Sequence, residues 1–256
     1  MQTMKNPLRL EPVIDTVYKL VPVQSARRLP DNADENALQA LLAANPGHFT
    51  AREILADKLT IGGKIGEACQ LRLDGSVLVS DLLDEAGDDD SLTLDWEDPF
   101  TAQALTMVYD SATDHFMIGD FEMAAAMLEL LADRDPEDHL NAAELLAFCY
   151  AALEEWELFD ETAAVLPADV LSTKLAGYWA RFRRTGPESA EVRDAMMRET
   201  PALYMEWTSA EHEISQDYLS DIESKRPTSS AEARRLWLRT EPLWRAFPDF
   251  TAYLKA

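Results

Sequence analysis

Glu211-His212-Glu213 sets an imidazole between two carboxylates, a residue set suited to general acid–base work. The stretch ALYMEWTSAEHEISQDYLSDIES after Pro201 reads as one helix, and neighbouring helical residues point to different faces, so the three side chains are not expected to converge. His48, His115 and His139 are scattered, and no His-Glu-x-x-His pair offers a zinc site. Gly62-Gly63-Lys64 has neither the spacing nor the following Ser or Thr of a phosphate-binding loop. Asp84 to Pro99 hold eight acids and no base. A calcium loop started at Asp88 finds Asp90 in third place, but Leu92 and Thr93 stand where a ligand and an essential glycine belong. A solvated acidic loop over 84–99 is expected instead. Cys69 and Cys149 lie in helix-like apolar patterns and read as buried thiols. No catalytic residue, metal or cofactor is expected.

Composition narrows the partners. The chain has 256 residues and 47% hydrophobic content, enough to bury a core. Its formal charge is -24, which disfavours direct binding to a phosphate backbone. The distribution is uneven. Lys225, Arg226, Arg234, Arg235, Arg239, Arg245 and Lys255 face three acids in residues 225–256, a surplus of +4 that leaves -28 for everything before. Charged residues interrupt the first thirty positions, as a secretory leader would not allow. The longest apolar run, LLAFCYAAL from Leu145, is about nine residues against the roughly 20 of a membrane span. These features set the expectation of a cytoplasmic protein without membrane contact.

Elements that must position any site are mostly helical by period. Residues 1–30, with Pro7, Pro12, Pro22 and Pro30, form an arm with a short strand or packed segment around VIDTVYKLVPV. Leu38, Leu41 and Leu42 share a helix face before Pro46. A helix from about Gly66 extends through SVLVSDLLDEAG, weakened at Gly75. In MIGDFEMAAAMLELLADRDPED, Ala124, Met127, Leu128 and Leu131 fall on one face, and Asp135-Pro136 stops the helix. Thr228 or Ser229 caps SSAEARRLWLRTEPLWRAF, with Glu232 as capping-box partner of Ser229.

The unit around Gly119 resembles a tetratricopeptide repeat. Ala112, Gly119-Asp120-Phe121, Ala124, Leu128 and Asp135-Pro136 match that family's small residue, turn, small residue, apolar position and stop, while Val108 and His115 depart from its aromatic positions. A second unit turns at Glu154-Glu155-Trp156, 35 residues on, and a third at Gly186, 32 further. An earlier unit turns at Gly63, separated by 56 residues that include the acidic stretch. The expected fold is therefore all α, a tetratricopeptide-like α-α superhelix of stacked antiparallel helix pairs over 31–224. Residues 225–256 form a basic, aromatic helical cap, because a solenoid must close its last apolar face. An aromatic, basic binding surface is the other reading of that end.

The resemblance implies a non-catalytic scaffold or adaptor that binds a protein or peptide on the inner helices. In this register the groove residues are Tyr109, Thr113 and Phe116 from one unit, and Glu144 and Phe148 from the next. The alternatives are an enzyme or regulator with a site assembled between helices, and an acidic DNA mimic. Opposite charge on the acidic loop and the basic tail implies either a tail folded back onto the loop or contact between two copies, and exposed tail aromatics favour the homodimer.

Overall fold

The computed structural model describes residues 6–25, 29, 33–87, 91–187 and 190–256. The described chain is predominantly helical, 69% helix against 6% strand. This agrees with the expected helical class, and the small strand share lies mainly in the N-terminal arm, where a short strand was expected. Contacts divide the chain into two units, Met1–His115 with Met123–Ala142, and Phe116–Glu122 with Ala143–Ala256. The three chain boundaries between them fall inside the expected 31–224 domain.

Unit 1 opens with a hairpin, β1 (Leu8–Ile14) against β2 (Val17–Pro22), antiparallel, with Leu8 opposite Pro22 and Leu10 opposite Leu20. Val13, Ile14, Val17 and Val21 favour the pleat. Asp15, at φ 46, takes the left-handed position of the tight turn. Pro12 stands on β1, the edge strand, where a missing donor is tolerated. Leu8 and Leu20 point inward, 2% and 1% exposed.

The third strand, β3 (Thr93–Leu94), pairs parallel to β2 and comes from the stretch expected to be a solvated loop. Leu92 and Leu94 are buried, so the alternation Leu92-Thr93-Leu94 is a strand signal inside an acidic run. Asp98 then accepts from the backbone N and the hydroxyl of Thr101 at 2.9 Å, capping the next helix. The Thr101 hydroxyl accepts from Leu20 N, also at 2.9 Å, which ties sheet to helix. Asp88, Asp89 and Asp90, the start of the rejected calcium register, lie outside the described residues, as does Pro30.

The helices of unit 1 are α1 (Glu35–Ala44), α2 (Phe49–Ile61), α3 (Ile65–Ala86), most of α4 (Pro99–Met117) and most of α5 (Phe121–Arg134). Leu38, Leu42, Leu55, Leu59 and Ala68 form one buried cluster across α1, α2 and α3. Gly75 does not weaken α3, which runs unbroken. A Cβ there would sit 2.6 Å from Arg52 Cδ and 2.9 Å from Met107 Cγ. Arg52 is 5% exposed and donates to the carbonyls of Leu71 (2.8 Å) and Pro46 (2.9 Å). The glycine is what lets this buried guanidinium cross α3. At the end of α5, Asp135 accepts from the backbone N of His139 at 2.9 Å and pairs with its ring Nδ1 at 2.7 Å. The His139 ring stacks on Trp96 with centroids 4.9 Å apart.

Unit 2 holds the turn Phe116–Glu122 and α6 (Ala142–Leu153, from Ala143), α7 (Trp156–Val165), α8 (Leu171–Thr185), α9 (Glu191–Glu199) and α10 (Pro201–Thr208). It continues with α11 (Gln216–Ile222), α12 (Ser229–Ala246) and α13 (Pro248–Lys255). The long helix expected after Pro201 breaks over 209–215. The Thr208 hydroxyl turns back to the Tyr204 carbonyl at 2.7 Å, and Ser209 bonds the Glu211 carbonyl, so local side chains compete with the helix ladder. Thr228 is the cap of α12, accepting from Ala231 N at 3.2 Å. The residue three beyond it is Ala231, so Glu232 closes no capping box.

The aromatics of the C-terminal region are interior. Trp237, Trp244, Phe250 and Tyr253 are at most 8% exposed. Trp244 packs edge-on to Trp179 and Trp207, at 5.4 and 5.5 Å. The apolar area of these four side chains is therefore spent inside unit 2, while Phe247 is half-buried.

The four residues placed in the repeat's turn position all have positive φ, but Gly186, with ψ of -179, is not in the left-handed helical conformation. Gly63, Gly119, Glu154 and Gly186 have φ of 76, 83, 62 and 75. Glu154 takes positive φ without being glycine, and its side chain meets Arg183 at 2.5 Å. Gly119→Ala should cost about 1 kcal/mol, since a Cβ disfavours the left-handed state by that order. Ala124 is fully buried, so Ala124→Leu should overpack its site at about 1–3 kcal/mol. Urea unfolding midpoints at constant slope check both.

Candidate functional site

The expected groove residues fall in both units. Tyr109 and Thr113 lie on α4 in unit 1, half-buried. Phe116, Glu144 and Phe148 belong to unit 2. Phe116 is 1% exposed and packs edge-on to Phe121 at 5.4 Å. Phe148 is 2% exposed and lies against Trp179 at 6.4 Å. Glu144 pairs with Arg239 of α12 at 3.6 Å. Glu144 and Phe148 share a crevice with Ser172, Leu236 and Thr240 that leaves no room for a water molecule. Within unit 2, α12 thus fills the place where a partner segment was expected to meet these two side chains. The two phenylalanines serve the core; Tyr109, Thr113 and Glu144 keep part of their surface in solvent.

A denser polar group lies on α2, α3 and α4 of unit 1, two of whose members neighbour Tyr109 and Thr113 in sequence. Arg72 of α3 donates to both oxygens of Asp114 on α4, at 2.8 and 3.1 Å. Gln103 of α4 donates to Glu53 of α2 at 2.8 Å and accepts from the Thr50 hydroxyl at 2.9 Å. Burial pushes the Asp110 carboxyl up to about 6. Arg72 works against that shift, while the charges of Asp114, Glu53 and Asp57 add to it. Cys69, on the same face, has its thiol pushed up by burial and then by Asp114, which keeps it protonated and a poor nucleophile. Sequence reading passed over this group because its members come from three helices and no pair forms a motif. A signal was present: Asp110 and Asp114 stand four apart, with Glu53 and Asp57 likewise, so each helix carries an acidic row.

The histidines have structural settings. His48 caps α2, its Nδ1 accepting from Ala51 N at 3.3 Å. His139 sits on Asp135; that hydrogen bond, followed by the charges of Asp135, Glu137 and Glu97, outweighs desolvation and raises its pKa. His212 does not pair with its sequence neighbours. It lies in the extended 209–215 segment, and its Nδ1 meets Glu206 Oε1 at 2.7 Å. Among the described residues, no group of three or more His, Cys, Asp or Glu side chains is arranged to hold a metal ion. No described helix is long and apolar enough to cross a membrane.

The sequence matches no family model, no curated protein and no solved structure. The tetratricopeptide resemblance therefore rests on the matched residues and on the positive φ at the turn positions.

Asp110 gives a pH signature. Its folded pKa lies above its unfolded one, so the folded state binds the extra proton, and stability falls as pH rises from about 4 to about 6. Asp110→Asn should flatten that window and raise stability at pH 7.5 by on the order of 1 kcal/mol, after allowance for partial solvent screening. Denaturant titrations of both proteins at pH 4.5, 6 and 7.5 read the difference.

Proposed function

We propose that this protein is a non-catalytic scaffold whose tetratricopeptide-like helix pairs bind a basic segment of a protein partner in the cytoplasm. The observation that supports the reading is the recurrence of positive φ at Gly63, Gly119 and Glu154, each one or two residues beyond the end of a helix. A chain that repeats one hairpin device builds a series of similar faces, and such series serve as extended binding surfaces. Continuation of the pairs as an α-α superhelix is part of the same reading. The charge of -24 selects the partner's sign. The acidic rows of α2 and α4, beside Tyr109 and Thr113, are where a basic segment gains most, because a cation there faces the carboxylates of both helices.

Two copies associating through the charge asymmetry would rest on surface ion pairs worth roughly 0–1 kcal/mol each. We therefore expect a monomer. Arg234, Arg239 and Arg245 already pair with Glu206, Glu144 and Glu241.

The second reading, an enzyme or regulator with a site between helices, is favoured by one observation. A carboxyl poised near 6 beside Arg72 is the kind of perturbed group found at active sites. Structural ion-pair networks perturb carboxylates in the same way, and Arg72–Asp114 is such a pair.

The test is binding of lysine- and arginine-rich peptides, against neutral peptides of equal length, by fluorescence anisotropy from 50 to 500 mM salt. Basic peptides should bind with an affinity that falls steeply with salt. The pair Glu53→Lys and Asp57→Lys should weaken it tenfold or more. Equal binding of neutral and basic peptides, or indifference to the charge reversal, overturns the reading.

A further inference from the structure

Glu206 of α10 is a carboxylate withdrawn from water, 8% exposed. Such a group must be paired to be tolerated. Its Oε1 accepts from His212 Nδ1 at 2.7 Å and from Arg234 Nε of α12. The His212 ring lies flat on Trp237, with centroids 3.8 Å apart and planes 16° from parallel. An indole face and the edge of a buried carboxylate together bound a slot that accepts a flat group carrying N–H donors.

His212 enters this slot from a segment that has little else to hold it. Residues 209–215 run extended between α10 and α11, and Ile214 is 61% exposed. Arg234 fastens the segment through the backbone, donating to the carbonyls of Glu213 at 2.7 Å and Glu211 at 3.4 Å. Helix α11, which follows, buries no residue. Its Asp221 accepts from the backbone N and hydroxyl of Thr228, at 3.0 and 2.6 Å. A segment held mainly by polar contacts and one ring stack, with little apolar burial, opens at low cost compared with the global fold. A cavity of about 250 Å3 lies beside the slot, bounded by Glu206, Asp217, Tyr218, Asp221, Thr228 and Arg234 among others. Three carboxylates and one guanidinium line it.

We propose that the Trp237–Glu206 slot is a recognition site for the guanidinium of an arginine side chain, and that His212 is an intramolecular plug that a basic partner displaces. Guanidinium is the side-chain cation that satisfies both walls at once. Its plane stacks on indole, and its parallel N–H donors meet a carboxylate edge. An ammonium group has the charge but not the plane. The cavity accommodates the aliphatic stem, and Asp217 and Asp221 supply the charge that admits a second cation beside Arg234. The proposal rests on the scaffold reading in one respect, that a partner supplies the arginine. The slot itself is tested without a partner.

His212→Gly empties the slot. Methylguanidinium at millimolar concentration should raise the melting temperature of this variant by a few degrees and change its tryptophan emission. Methylammonium at equal ionic strength should do neither, and adding Glu206→Gln should abolish the response. In the unaltered protein, an arginine-rich peptide should speed amide exchange across 209–222 at least tenfold while α12 stays protected. This arm needs no variant to fold. Equal effects of the two small cations, or a bound peptide that leaves 209–222 as protected as before, overturns the slot. A peptide that binds with salt sensitivity yet leaves the segment protected overturns the slot alone. Methylguanidinium rescue without any peptide binding supports the slot and counts against the scaffold reading.

Discussion

A helix that must reverse direction within two or three residues needs one backbone unit in the left-handed region, and the helix pairs of this protein depend on that requirement. Three of the four turn positions are glycine, which adopts positive φ without steric penalty. The fourth, Glu154, carries a side chain at positive φ, and its carboxylate pairs with Arg183. Because the turn fixes where each following helix begins, it also fixes which residues face inward. Ala124, five positions after Gly119, is fully buried, as a close helix approach requires.

Polar groups taken out of water set the second level of organisation. Arg52, buried in unit 1, donates from its two terminal nitrogens to carbonyls on two sides, and it crosses α3 where residue 75 lacks a Cβ. Glu206, buried in unit 2, is satisfied by Arg234 and His212. Each makes its neighbourhood intolerant of change, because removing one partner leaves a buried charge exposed to the low dielectric. The contrast lies in what surrounds them. Arg52 is enclosed by helices with apolar faces, whereas one partner of Glu206 stands on an extended segment that buries little. The first arrangement resists opening and the second permits it.

Acidic charge is spread as rows on helix faces as well as concentrated in one run. The run from Asp84 to Asp98, conspicuous in sequence, is partly used up in local structure: a strand pairs at Thr93 and Leu94, and Asp98 caps α4. The rows Glu53/Asp57 and Asp110/Asp114, inconspicuous in sequence, come together across α2 and α4, and their charges add to the burial that pushes Asp110 up to about 6. Contiguity along the chain is a weak guide to electrostatic strength, since neighbouring carboxylates in a loop separate into solvent while rows on packed helices cannot.

Helix positions, turn residues, the Asp135 stop and the buried character of Cys149 follow from periodicity and backbone preference, which act within a few residues and are legible locally. The sheet was only partly legible: prolines and β-branched residues marked the arm, but β3 pairs with β2 across more than seventy residues, and no local preference specifies such a partner. The break at 209–215 was hidden because its apolar spacing continues that of a helix, while its conformation is decided by Glu206, Arg234 and Trp237, which lie outside the segment. For the same reason His212 looked like a partner of Glu211 and Glu213 and is a partner of Glu206. Phe116 and Phe148 read equally well as groove or core, since a helix face shows apolarity without showing what covers it. Tertiary packing decided that question, by laying α12 over Phe148 and closing the space that a ligand would need.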